Sequence, residues 1–333
     1  MTHSGGKPTE PKPARSDSPS SSVPRRFQIL SLDGGGLRGL FSAAVLAELE
    51  SDLDTTIADH FDLVVGTSTG GLIALALGAG LSPAQVVDFY VDQGSLIFPA
   101  SRWRSLRRAV RMKYSNDPLR RALRAALGNR LLGDSMKRLV IPSYSLDADD
   151  VYLFKTPHHE HYRRDGRESM VDVGLATTAA PTYLPAARLR NLRLIDGGVW
   201  ANNPTLVGVT EAISMLGCAP SDITVLSLGT TDPVSSRGGS LDRGGLVQWA
   251  RPVPSVMLRA QAVGARHTAD HLLGRGRVTR IDPTVPNGLF QLDRLDAGAI
   301  RGLAQDVSRR SSEFVQPFTS HLAAAYVPSG RSA

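Results

Sequence analysis

The sequence has little that would cross-link it or embed it in a bilayer. One cysteine, Cys218, stands among 333 residues. No disulfide can form within the chain, which fits a reducing compartment. No early segment joins a basic start to an apolar core and a small-residue cleavage site, so no secretory signal is expected. The longest apolar stretch runs from Leu72 to Leu81, far short of the roughly 18 residues a membrane span needs. Any meeting with a membrane is expected from the water side. Aromatic residues make up only 6% of the chain, against 41% hydrophobic and 21% charged, a soluble globular composition. No internal repeat is visible, and nothing marks a firm domain boundary.

What is abundant is positive charge, at a formal +7. Basic proteins attract nucleic acid or anionic membrane surfaces. The excess is local: residues 102–138 hold twelve Lys or Arg and two acids, Asp117 and Asp134. Trp103, Leu106, Val110 and Met112 are interleaved with the arginines, a mixture that suits an interfacial helix on an anionic membrane. The segment reads as a basic helical insertion or cap. A nucleic-acid-binding reading rests on charge alone, and with no nucleic-acid module recognisable, no nucleic-acid partner is expected.

Residues 1–24 are rich in Ser, Pro, Lys and Gly and read as a disordered tail. Residues 25–330 read as a single α/β domain. Strands are predicted at 27–32, 61–65, 139–141, 151–155, 192–195, 223–228 and 278–281. Helices are predicted at 37–53, 72–77, 83–94 and 171–180, the last stopping at Pro181. A Gly, Ser and Pro stretch at 235–245 reads as a loop, and the rest of the C-terminal region as mostly helical. Strand, glycine turn and helix, repeated, is the rhythm of a parallel sheet.

Three glycine clusters carry the chemistry. Gly66-Thr67-Ser68-Thr69-Gly70 fits G-x-S-x-G, which places a serine on a tight strand-to-helix turn. Its hydroxyl then lies near free helix N–H groups that favour developing negative charge. Asp33-Gly34-Gly35-Gly36-Leu37-Arg38-Gly39 exposes several N–H groups in one place, an anion cradle. It also fits G-x-G-x-x-G, but Asp52 and Asp54, about 20 residues on, fall late in a predicted helix rather than at a strand end. With a serine turn downstream, an oxyanion is the more economical occupant than a nucleotide phosphate. Asp196-Gly197-Gly198 ends a predicted strand, where a carboxylate suits the rim of an α/β site.

Together, in this order, the three motifs resemble the patatin-like phospholipase family. Ala179-Ala180-Pro181-Thr182-Tyr183-Leu184-Pro185 and Asn202-Asn203-Pro204 resemble further family signatures, and the resemblance covers roughly residues 26–230. It implies a three-layer α/β/α fold with a mostly parallel sheet and a nucleophile elbow, supported by Gly66, Gly70, Gly197 and Gly198. It implies a Ser68–Asp196 dyad that cleaves fatty-acyl esters of phospholipid or another acyl lipid through an acyl-enzyme, with neither cofactor nor metal. Gly34, Gly35 and Gly36 would form the oxyanion loop, with Arg38 supporting it or binding phosphate. Some bacterial members are antiphage effectors switched on by a cyclic nucleotide, so such an activator is a candidate partner. The expected location is cytoplasmic and peripheral at the membrane.

An aspartate near its usual pKa of about 4 is a poor base for a hydroxyl, so the dyad demands burial of Asp196. The rival mechanism is a Ser-Asp-His triad completed by His267 or His271. Those two histidines could instead form a metal pair, although no third ligand is evident. His158, His159 and His161, beside Glu160, read as a polar hairpin tip.

Overall fold

The computed structural model describes residues 26–97, 114–233, 241–249, 252–285 and 296–329. The expected N-terminal tail, the first part of the basic segment with Trp103, Leu106, Val110 and Met112, and most of the 235–245 loop lie outside these residues.

The chain opens with β1 (Phe27–Leu32), α1 (Gly39–Leu53), β2 (Leu63–Gly66), α2 (Thr69–Gly78), α3 (Pro83–Ile97) and α4 (Asp117–Leu127). An antiparallel pair follows, β3 (Arg138–Ser145) and β4 (Asp150–Lys155), then α5 (Met170–Thr177). The short β5 (Ala187–Leu189) leads into β6 (Leu192–Asp196), α6 (Gly198–Ala201) and α7 (Thr205–Ser214). The last third adds β7 (Ile223–Leu228), β8 (Asp232–Pro233), α8 (Leu246–Trp249), α9 (Val253–Leu273), β9 (Val278–Ile281), β10 (Thr284–Val285) and α10 (Ala297–Thr319).

The central sheet runs β5-β6-β3-β2-β1-β7-β9, with β4 paired to β3 outside this path. β1 lies parallel to both β2 and β7, β2 parallel to β3, and β7 parallel to β9. Only β4 and β6 oppose β3. Residues alternate between two buried faces, as strands covered on both sides must. Leu30, Leu32, Val64, Leu139 and Ile141 face the core shared with α1 to α5 and α10. Ile29, Leu63, Val65, Val140 and Val225 face the core shared with α7 and α9. The result is the three-layer α/β/α architecture the motifs imply.

Two departures from the sequence reading matter for the site. β3 continues through Pro142 rather than stopping at Ile141. Proline is tolerated there because β3 changes partner at that point, from β2 (last pair Val65↔Val140) to β6 (Ser143↔Asp196), leaving no ladder amide to lose. Asp196 also ends an antiparallel strand. It reaches the C-terminal edge of the parallel strands from the opposite direction.

The described part of the basic segment is structural on one side. α4 buries Leu119, Ala122, Leu123 and Leu127 and turns Arg120, Arg121 and Arg124 outward. Arg120 pairs with Asp172 on α5 at 2.8 Å.

The crossing of α2 over β1 and β2 leaves no room for side chains. A Cβ on Gly66 would lie 2.2 Å from the Gly70 carbonyl oxygen, and one on Gly70 would lie 2.2 Å from that of Leu32. Gly66→Ala is therefore expected to destabilise the fold by about 2–3 kcal/mol. Unchanged denaturant unfolding of this variant would show that the backbones do not meet so closely.

Candidate active site

Ser68 sits between the end of β2 and the start of α2 with φ 54° and ψ −120°. A non-glycine residue rarely holds a positive φ, and such strain concentrates at functional sites. The turn is held from two sides. Ser68 N–H donates to Thr177 Oγ1 at 2.9 Å, and the Thr177 hydroxyl donates to the Pro142 carbonyl at 2.7 Å. The Thr67 hydroxyl donates to the Ala201 carbonyl at 2.6 Å. Thr69 and Tyr90 share a hydrogen bond between their hydroxyls.

The partner of Ser68 is Asp196. The serine hydroxyl donates to Asp196 Oδ2 at 2.7 Å, and Gly198 N–H donates to Oδ1 at 2.7 Å. Both side chains are buried, Ser68 at 8% exposure and Asp196 at 6%. Burial pushes the Asp196 carboxyl up to about 6, against the opposing hydrogen bonds from Gly198 and Ser68. The carboxylate is thus a stronger base than a solvated one, yet is mostly ionised at neutral pH. Gly197 packs under the site, where a Cβ would meet the Pro142 carbonyl oxygen at 2.4 Å.

The glycine loop after β1 lies against Ser68. A Cβ on Gly34 would stand 3.4 Å from that of Ser68. Gly34 donates its N–H to the Asn202 carbonyl at 2.9 Å, so it supplies close approach rather than a free donor. Among the described residues, the N–H groups of Gly35 and Gly36 donate to no other backbone group. Gly36 holds φ 59°, a backbone state that glycine adopts without steric cost. Arg38 supports the loop: Nε donates to the Gly35 carbonyl at 3.3 Å and Nη1 to the Thr231 carbonyl at 2.7 Å.

The anchor of that loop lies in a part of the chain with no recognisable motif. Arg280 on β9 donates to both carboxylate oxygens of Asp33, at 2.8 and 2.6 Å, to Ser227 Oγ at 2.8 Å and to Asp282 at 2.9 Å. Burial lowers the guanidinium's hold on its proton, but Asp33 and Asp282 more than offset this and raise it. A bidentate, buried pair of this kind fixes geometry as well as charge. No sequence pattern links residue 33 to residue 280. Thr177 and Thr230, whose hydroxyl donates to the Gly34 carbonyl at 3.1 Å, carry no sequence signature of their own, since a threonine pair marks no particular contact.

The histidines of the rival triad lie elsewhere. His267 and His271 are exposed on α9, and both oxygens of Asp196 are already engaged by Ser68 and Gly198. Among the described residues no group of three His, Cys, Asp or Glu could hold a metal ion. His158 departs from the polar-tip reading. Its imidazole is buried between Thr156 Oγ1, 2.8 Å from Nδ1, and Glu211, 2.9 Å from Nε2. Lys155 completes the cluster at 2.7 Å from Glu211. The reason is tertiary: Glu211 arrives from α7.

Residues 30–209 match the model of the patatin-like phospholipase family. The chain belongs to this family. A "cGAMP-activated phospholipase" of Pseudomonas aeruginosa is 35% identical over 317 residues, 90% of this chain and 93% of that one. A protein of the same name from Vibrio cholerae is 32% identical over 336 residues, 90% and 94% of the two chains. "Patatin-like protein 1" of Oryza sativa subsp. indica is 33% identical over 275 residues, 70% and 66%. Membership makes this chain a serine esterase that hydrolyses lipid acyl esters.

Two outcomes follow from the geometry. A carboxyl with a raised folded-state pKa destabilises the fold once it ionises, so its cost appears as pH rises from about 4 through about 6. Asp196→Asn removes that charge. It should raise stability at neutral pH by up to roughly 3 kcal/mol while acyl hydrolysis collapses, and wild-type activity should climb through about pH 6. A flat pH–rate profile with an unstabilised variant would refute the buried base. Arg280→Gln should cut kcat at least tenfold with KM little changed, because loosening Asp33 disturbs the loop without touching substrate. Unchanged kcat would reduce Arg280 to a packing residue.

Proposed function

We propose that Ser68 is the nucleophile and Asp196 its base in phospholipid deacylation. The observation that carries this reading is the 2.7 Å hydrogen bond from the Ser68 hydroxyl to the buried carboxylate of Asp196. Asp196 takes the hydroxyl proton as Ser68 Oγ attacks the ester carbonyl. The developing oxyanion turns to the N–H groups of Gly35 and Gly36, in the loop whose Gly34 lies against the serine. The protonated Asp196 then gives its proton to the leaving alkoxide, which departs as the alcohol. Water enters and Asp196 takes its proton as the oxygen attacks the acyl carbonyl; the acyl–Oγ bond then breaks, Asp196 returns the proton to Ser68 Oγ, and the fatty acid leaves. Substrate burial withdraws the site from solvent, which strengthens each of these hydrogen bonds.

We further propose that a cyclic nucleotide such as cGAMP activates the enzyme, and that the activated protein degrades membrane phospholipid as an antiviral effector. Supporting this are two relatives named as cGAMP-activated, each aligned over 90% of the chain and so extending well past the family-matched residues 30–209. The basic segment 102–138 favours anionic ligands and an anionic membrane surface, and its described helix α4 keeps Arg121 and Arg124 exposed. A cytoplasmic enzyme working at the membrane face fits both. The test is fatty-acid release from phospholipid vesicles with and without cGAMP, for wild type and Ser68→Ala. The expected result is at least tenfold activation of wild type and none for the variant. Full activity without nucleotide would remove the regulatory half of the proposal, and turnover by Ser68→Ala would remove the catalytic half.

A further inference from the structure

The catalytic reading leaves the first half of α9 without a role. The second half of this helix buries Ala265, Ala269 and Leu273, and Ala269 and Leu273 join the core beside α7. The strand that follows, β9, runs parallel to β7. The helix therefore descends toward the N-terminal edge of the sheet, and its first half stands at the C-terminal edge with Ser68 and Asp196. Gln261 marks the level: its Oε1 accepts Asn203 N–H at 3.2 Å, beside the Asn202 that packs on Gly34.

From Val253 to Gly264 no residue of α9 is buried. At about 100° per residue, Val253, Val256, Met257, Ala260 and Val263 fall within an arc of roughly 120°. Leu258, Gln261, Ala265 and Ala269 fall on the opposite side, toward the protein. Met257, Ala260 and Val263 are exposed and Val253 and Val256 half-buried, so the outward face is largely apolar. Met257 is 63% exposed and Val263 41% exposed. Arg259 is the one charged residue between Val253 and Gly264, whereas Arg266, His267, Asp270 and His271 follow within the next seven positions. Val199 on α6, three residues from Asp196, adds a further 44% exposed apolar side chain.

A surface helix in water normally turns its polar face outward, and clustered exposed apolar residues mark a contact site. The stripe is about 15 Å long and offers on the order of 200 Å². That is far below the roughly 800 Å² per partner of a stable dimer, but it suits a helix lying half-immersed at a lipid interface. We propose that the outward face of Val253–Gly264 seats the enzyme on the bilayer surface at the rim of the active site, so that an acyl chain passes to Ser68 without crossing water. This rests on the lipid-hydrolase reading. It differs from attraction through the basic segment, because apolar insertion requires no anionic lipid and survives high salt.

The test uses the full chain as wild type, Ser68→Ala, Met257→Glu/Val263→Glu and Met257→Trp. Each is sedimented with zwitterionic phosphatidylcholine vesicles at high salt, with and without cGAMP, and assayed on a monomeric short-chain ester. Wild type and Ser68→Ala should bind alike. The double variant should lose at least tenfold in binding and in vesicle hydrolysis while keeping its ester rate, which also certifies its fold. The emission of Met257→Trp should shift to the blue when vesicles are added. Binding by the double variant equal to wild type, an unshifted Trp emission, or wild-type binding to anionic vesicles alone would overturn the proposal. So would a wild-type dimer that the double variant dissociates, since a second copy would then own the stripe. Vesicle binding without hydrolysis of either substrate would leave the docking intact and sink the hydrolase reading instead.

Discussion

A carboxylate withdrawn from water and given to a single serine hydroxyl is the interaction on which the rest of this structure depends. Burying Asp196 raises its basicity, and two hydrogen bonds keep it ionised. Balance between those terms leaves a carboxyl poised about one unit below neutrality, held by Ser68 and Gly198 rather than by a histidine. A fully solvated aspartate would be too weak a base for a hydroxyl, and one buried without donors would stay protonated. The strained Ser68 backbone, the Thr177 clamp and the antiparallel approach of β6 all serve to hold that pair at 2.7 Å.

The same demand shapes the sheet around the site. Two helices must start within a few ångströms of two adjacent strand ends, which only backbones without side chains allow. The glycine loop beside them would be free to move were it not tied down through Asp33. Arg280 provides that tie from β9, beyond the family-matched residues 30–209. The C-terminal third thus holds the glycine loop in place, and the pairing of β9 with β7 sets where the guanidinium points. Aimed outward instead, the apolar stripe of α9 places a lipid-compatible surface on the rim of the same edge.

Much of this was legible in the chain itself. Alternating apolar runs predicted β1, β4, β7 and β9 almost to the residue, because local periodicity and burial agree there. The three glycine motifs mark segments that the structure brings together, because steric crowding forbids side chains there and that constraint writes itself into composition. The reading failed where the cause was distant. Pro142 reads as a strand terminator until the change of partner from β2 to β6 removes its cost. His158 reads as a polar turn until Glu211 arrives from α7. The α9 stripe has ordinary amphipathic spacing, and only the packed position of Ala265 and Ala269 reveals that the apolar side faces out.

The sequence by itself determined the fold class and the glycine-flanked turns that carry Asp33, Ser68 and Asp196, since each is imposed by short-range backbone geometry. The tertiary structure decided the 2.7 Å contact between Ser68 and Asp196, the raised basicity of that carboxylate, the anchoring of Asp33 by Arg280 and the outward aim of α9. Each of these depends on burial and on contacts between segments tens to hundreds of residues apart, quantities that no local pattern of side chains encodes.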